Sequence, residues 1–124
     1  MRAGVDLCHD IRFSIECIAL HLGTLVICGF ACFRQKERDA ACYRILIIGE
    51  AAKSLIARHR EGIEQSSTGE YDLLANLTQA ARMRDMMIHR FWDTDYDVVI
   101  LTIRDNLPEL KDSIHRLGAT LARC

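Results

Sequence analysis

The stretch RILIIGEAAKSLI, Arg44 to Ile56, decides the fold. Ile45, Leu46, Ile47 and Ile48 fall on more than one face of a helix, and a helix apolar nearly all round serves as a central element or in self-association. The pattern predicts a helix from about Glu37 to Arg58. Gly49 within it costs about 1 kcal/mol relative to alanine, which a close approach by a second helix would explain. Glu50, beside that glycine, is an acid in apolar surroundings. It is either an exposed helix residue or the partner of a buried arginine.

Outward from this helix the periodicity stays helical. Ile11, Ile15, Ile18 and Leu22 recur at helical spacing and predict a first helix over about Val5 to Leu22. Gly23 and Gly29 bracket a weaker stretch that reads as a loop or a short turn. Glu61 to Gly69 is polar and reads as a loop, and Ser67 with Glu70 fits a capping box for a third helix from about Tyr71 to His89. Thr94 or Asp95 caps a fourth helix, with Asp97 in its acidic first turn. Leu107-Pro108 marks a break, with Pro108 opening a last helix. No segment alternates as a strand would. The class is all-α, an up-and-down bundle of four to five helices in a single domain over residues 1–124.

Composition sets the outer limits. The 124 residues suit one core, and half of them are hydrophobic, with one proline. The net charge of −1 gives no general pull toward nucleic acid, so any RNA-handling charge must be local. Residues 1–61 carry nine Lys/Arg against seven Asp/Glu; residues 62–124 carry seven against ten, yet Arg82, Arg84 and Arg90 sit close together in that acidic half. LVICGFACF (residues 25–33) is too short to span a bilayer. The start MRAGVDLCHD does not read as a secretory signal, so a cytoplasmic location with reduced thiols is expected. Cys8, Cys17, Cys28, Cys32, Cys42 and Cys124 then read as small buried hydrophobes. Cys17, His21, Cys28 and Cys32 make a C-x3-H-x6-C-x3-C string that matches no standard zinc module, and no metal or cofactor is expected.

Winding the third helix at about 100° per residue puts Leu73, Leu77, Ala80, Ala81 and Ile88 on one stripe, with Arg84 in its middle. An arginine on a core-facing stripe is expensive unless it is paired, lines a cleft or meets another subunit. His89 follows five residues later, about 140° around an ideal helix. The two side chains do not converge unless the helix loosens near Phe91 or a second copy of the chain completes the site.

These residues also carry a resemblance. RMRDMMIHRFWDTDYDVV (82–99) resembles the HEPN signature, in which an arginine, a polar residue and three further positions precede a histidine. LIIGEAAKSL (46–55) and NLPEL (106–110) are similar to blocks of the HepT-like branch, in the same order. The resemblance implies a metal-independent endoribonuclease toxin, with Arg84 and His89 as its catalytic pair and Asp85 at the polar position. It also implies a homodimer, an RNA substrate and a minimal nucleotidyltransferase antitoxin. The alternative is a non-catalytic HEPN subunit that binds a nucleotide or scaffolds the nucleotidyltransferase.

The residue types suit the chemistry. Cleavage by RNA's own 2′-hydroxyl needs proton transfer near neutrality, where imidazole titrates, and stabilisation of a pentavalent phosphate, which guanidinium supplies. Asp85 either orients His89 or Arg84 or is a solvated acid. Arg82 and Arg90 either hold backbone phosphates or are ordinary exposed arginines. Phe91 and Trp92 either stack on bases or pack in a core or dimer interface. The family's pattern has a tyrosine, two residues after the histidine, that the antitoxin adenylylates. Phe91 stands there and has no hydroxyl, so no modification is expected at it; Tyr96 is the nearby hydroxyl, off the motif position.

Overall fold

The computed structural model describes residues 2–22, 35–67, 71–90 and 96–123. Among the described residues five α-helices follow one another: α1 (Gly4–Leu22), α2 (Gln35–Ser66), α3 (Leu73–His89), α4 (Tyr96–Leu101) and α5 (Leu107–Ala122), with a π-helical turn at Thr102–Asn106 joining the last two. No strand occurs among the described residues. The chain is an all-α helical bundle in which α2 packs against α1, α3 and α5. The Gly23–Gly29 stretch, the Thr94 and Asp95 caps, and Cys28, Cys32 and Cys124 lie outside the described residues.

The core is aliphatic and drawn from every long helix. Ile11 and Ile18 of α1, Ile48, Ala52 and Leu55 of α2, Leu73 and Leu77 of α3, and Ile114 and Leu117 of α5 are all buried. Each fully buried Leu or Ile removes enough apolar surface to contribute about 1.5–3 kcal/mol. Cys8 is buried, and that burial pushes its thiol up to about 12; Cys17 and Cys42 are half-buried, and all three are free thiols. No helix is long and apolar enough to cross a membrane among the described residues.

Four expectations from periodicity are corrected. First, α2 does not end at Arg58. It kinks at His59 (φ −133°, ψ 33°) and resumes to Ser66, so much of the polar stretch predicted as a loop is helical. Ile63 explains this: it is fully buried, and the adjacent Gly62 lies against the Leu121 and Leu117 side chains of α5. One apolar anchor in a polar segment outweighs that segment's local preference.

Second, the cap of α3 is Asp72, whose Oδ1 accepts from the Ala75 N–H at 3.0 Å, and the helix begins at Leu73. Ser67 still contributes, because its Oγ accepts from the Leu73 N–H at 3.1 Å; Glu70, the other half of the expected box, lies outside the described residues. Third, the buried stripe of α3 ends on Met87, and Ile88 is 46% exposed. At about 100° per residue Met87 and Ile88 lie about equally far to either side of the line through Leu73, Leu77, Ala80 and Arg84, so periodicity does not choose between them, and the bundle covers Met87.

Fourth, Leu107-Pro108 does not interrupt the chain. The Leu107 N–H bonds to the Thr102 carbonyl, five residues back, and α5 starts at once with Pro108 in its first turn. Proline has no N–H to give and its ring crowds the carbonyl four residues earlier. A turn widened by one residue relieves that crowding without breaking the rod.

Candidate active site

A close crossing of α2 and α3 fixes the charged site. A Cβ placed on Gly49 would overlap the Arg84 Cβ and lie 2.7 Å from the Ala80 carbonyl oxygen. Only glycine lets α2 and α3 meet there, which is the close approach that the sequence predicts. Arg84 sits in the centre of the buried stripe of α3, and its side chain is 24% exposed.

The guanidinium is held from two sides. Nη2 lies 2.7 Å from Glu50 Oε2 across the crossing, and Nη1 donates to Asp85 Oδ1 at 2.8 Å. Lys53, one turn beyond Glu50 on α2, brings its Nζ to 3.5 Å from the same Asp85 oxygen. Two carboxylates and one lysine therefore surround this guanidinium, and the four charges balance. Burying Arg84 without these partners would be strongly unfavourable. Glu50 thus meets both alternatives, a helix residue 61% exposed that also pairs with a half-buried arginine, and Asp85 bonds Arg84 where the sequence left three roles open.

The Arg84 hydrogen bond, with the charges of Lys53 and Arg84, holds the Asp85 carboxyl below its ordinary value against the opposing effect of desolvation. A carboxyl with a lowered folded value stabilises the fold above its unfolded value, near 4. That contribution disappears as pH falls through the folded value. The expected observation is an Asp85 carboxyl ¹³C titration displaced to acid pH in the wild type, moving back up in Arg84→Ala. An unchanged midpoint in that variant would show that Arg84 is not what holds the carboxyl ionised.

Helix α3 stays regular through His89, and the Arg90 N–H still bonds to the Met86 carbonyl at 2.8 Å before the backbone leaves helical geometry. Arg82, His89 and Arg90 are exposed, and five residues of regular helix separate His89 from Arg84 by about 140°. No loosening of α3 ahead of His89 brings the pair together. Phe91 and Trp92 lie outside the described residues, as does the side chain of Tyr96.

Sequence reasoning missed Lys53. Its signal was the three-residue spacing from Glu50, which places both on the face that meets α3. Among the described residues no three His, Cys, Asp or Glu side chains gather as a metal site would require; of the C-x3-H-x6-C-x3-C string, only the Cys17 side chain is described.

The all-α bundle is the fold that the three sequence blocks imply. The chain belongs to the HepT-like family: the family model described as "Ribonuclease HepT-like" matches residues 27–117, which include all three blocks. It is 29% identical over 117 residues to a protein of Thermococcus cleftensis named "Probable ribonuclease HepT", covering 94% of this chain and 96% of that one. No solved structure gives a significant match.

Proposed function

We propose that the chain is a metal-independent endoribonuclease of the toxin type, acting as a homodimer with Arg84 and His89 as its catalytic pair. One observation carries the reading. The fold places a glycine at a close crossing and two carboxylates around Arg84, and the result is a guanidinium held from two sides that is still partly exposed. Its two ion pairs engage two of the five N–H donors of a guanidinium, and the rest can receive phosphate oxygens. His89 takes the proton of the attacking 2′-hydroxyl as the O2′–P bond forms and the P–O5′ bond breaks. The leaving 5′-oxygen is protonated by the imidazolium or by water. Arg84 neutralises charge gathering on the phosphate.

The regular helix between Arg84 and His89 supports a site shared between two copies. Arg82 and Arg90, exposed on α3, are suited to holding flanking phosphates. Membership in the HepT-like family supports a minimal nucleotidyltransferase antitoxin as partner. With phenylalanine at position 91, control operates through binding of that partner, and modification there is chemically impossible.

The test is cleavage of single-stranded RNA by purified protein in excess chelator. Full activity is expected, with 2′,3′-cyclic phosphate and 5′-hydroxyl ends. Activity that vanishes with chelator and returns with a divalent cation would remove the metal-independent reading. A second reading is favoured by the same ion pairs: both terminal nitrogens of Arg84 already face carboxylates, as suits a structural clamp in a non-catalytic subunit that binds a nucleotide or scaffolds the nucleotidyltransferase. Wild-type protein that cleaves no RNA under any condition, yet binds that partner, would establish it.

A further inference from the structure

Away from the α2–α3 crossing, the outer face of α1 lies between α2 and α5. On the α5 side an open cleft of about 420 Å³ is lined by Arg12, Glu16, Lys111, Asp112, His115 and Arg116. Arg12 spans it: Nη1 donates to His115 Nδ1 at 2.8 Å, and Nε lies 3.3 Å from Glu16. On the α2 side flat groups stack. The His9 and Phe13 rings are 6.2 Å apart and 20° from parallel. The Arg44 guanidinium carbon lies 5.2 Å from the Phe13 ring centre and 5.8 Å from that of Tyr43.

The groups alternate across the face. Lys111 and His115 lead to Arg12, then to Phe13 with His9, then to Arg44 and Tyr43. Phe13 is 48% and Tyr43 59% exposed, so two aromatic rings stand in solvent at the centre of the face, with Leu20 as an aliphatic end. The cleft and the stack carry four cations against two carboxylates, on a chain whose net charge is −1. Exposed rings interleaved with cations are what a flexible polyanion with flat bases requires. Bases stack on rings and guanidinium planes whatever their identity, and the cations follow the phosphates. Protein interfaces also enrich rings and arginine but are depleted in lysine and carboxylates; Lys111, Glu16 and Asp112 on this face suit a solvated polyanion better.

The geometry points to the α5–α1–α2 face, from Lys111 and Arg12 through Phe13 and Arg44 to Tyr43, as a platform that binds single-stranded RNA outside the Arg84 site. The inference takes its ligand from the ribonuclease reading. Arg44 lies five residues from Gly49, about 140° around α2. The platform therefore holds a part of the strand remote from the bond to be cut, and it acts on binding without entering the chemistry.

The test uses the full chain and a labelled 2′-O-methyl oligouridine of about twelve nucleotides, whose blocked hydroxyl cannot attack. Anisotropy titrations should show Tyr43→Ala and Phe13→Ala each weakening binding by about fivefold or more, the low end of what one stacked base contributes. Tyr43→Phe should bind within twofold of wild type, because stacking needs the ring and not the hydroxyl. Arg12→Gln should lower the slope of log affinity against log salt by about 0.7. Far-UV circular dichroism checks that each variant is folded, and Tyr43→Ala, the most exposed site, serves if Phe13→Ala is not.

Wild-type protein that fails to bind the strand, or Tyr43→Ala and Arg12→Gln that bind as wild type does, would overturn the proposal. So would a change in sedimentation of Tyr43→Ala with strand binding intact, which would make this face a contact between copies. Cleavage of unmodified RNA, measured in parallel, keeps the two readings apart. Platform-dependent binding without cleavage sinks only the ribonuclease reading; cleavage with platform-independent binding sinks only the platform.

Discussion

Arg84→Ala and His89→Ala proteins, mixed in equal amounts and allowed to exchange subunits, should recover about a quarter of wild-type RNA cleavage. Each variant alone should fall by about 100- to 10,000-fold, the usual range for losing a proton-transfer group or a preorganised charge donor. The expectation follows from α3 being regular through His89, which points the two side chains about 140° apart. A site built from the arginine of one copy and the histidine of the other is lost twice in either homodimer. A mixed dimer has one complete site and one empty one, and mixed dimers are about half of the exchanged population.

A pair acting within one chain gives the opposite result, because every chain in the mixture then lacks one member and the mixture stays as inactive as its parts. Activity kept by either variant alone would remove that residue from the catalytic assignment. The choice between these outcomes depends on where two side chains point, which the helix dictates irrespective of the family.

Gly49→Ala should destabilise the fold by about 2 kcal/mol or more. The added methyl meets the Arg84 Cβ and the Ala80 carbonyl oxygen, and neither is the tip of a flexible side chain. The helices must therefore separate, at about 3 kcal/mol, the upper end for an overpacked contact, which leaves about 2 kcal/mol after the roughly 1 kcal/mol that alanine gains over glycine in a helix. In thermal melts the midpoint should drop on the order of 10 °C. Cleavage should fall beyond what the stability loss explains, since the crossing also positions Arg84 against Glu50. Gly118→Ala is the control: a Cβ there lies an ordinary 3.5 Å from that of Cys8, so helix propensity alone should leave stability unchanged or slightly raised. Equal melting temperatures for Gly49→Ala and wild type would show that the crossing has more room than the geometry gives it.

Much of this site was legible before any coordinates. Gly49 and Arg84 each violate a local rule, the one a glycine inside a strong helix and the other a cation on an apolar stripe, and two such violations on neighbouring helices compensate each other. Glu50 stands beside that glycine as one candidate partner, with plain exposure the other. What stayed hidden depends on distance along the chain. The extension of α2 past His59 is fixed by Ile63 burying against the bundle, and the local polar composition argues against it. Arg12 and His115 are 103 residues apart, and nothing in either segment announces that they touch. The role of Lys53 rests on α3 crossing α2, which brings Asp85 to 3.5 Å from it.

The wide turn at Thr102–Asn106 bears on how this gene can change. Relative to an uninterrupted α-helix it holds one residue too many, so losing a single codon there would make one straight rod of residues 96–122. Everything upstream would then rotate by about 100° against α5, carrying Val99, now 2% exposed, out of the core. Point substitutions at the exposed Arg104 and Asp105 leave that phase untouched. Selection on this segment therefore acts on its length more than on its spelling, and in-frame deletions there should be purged where missense changes persist.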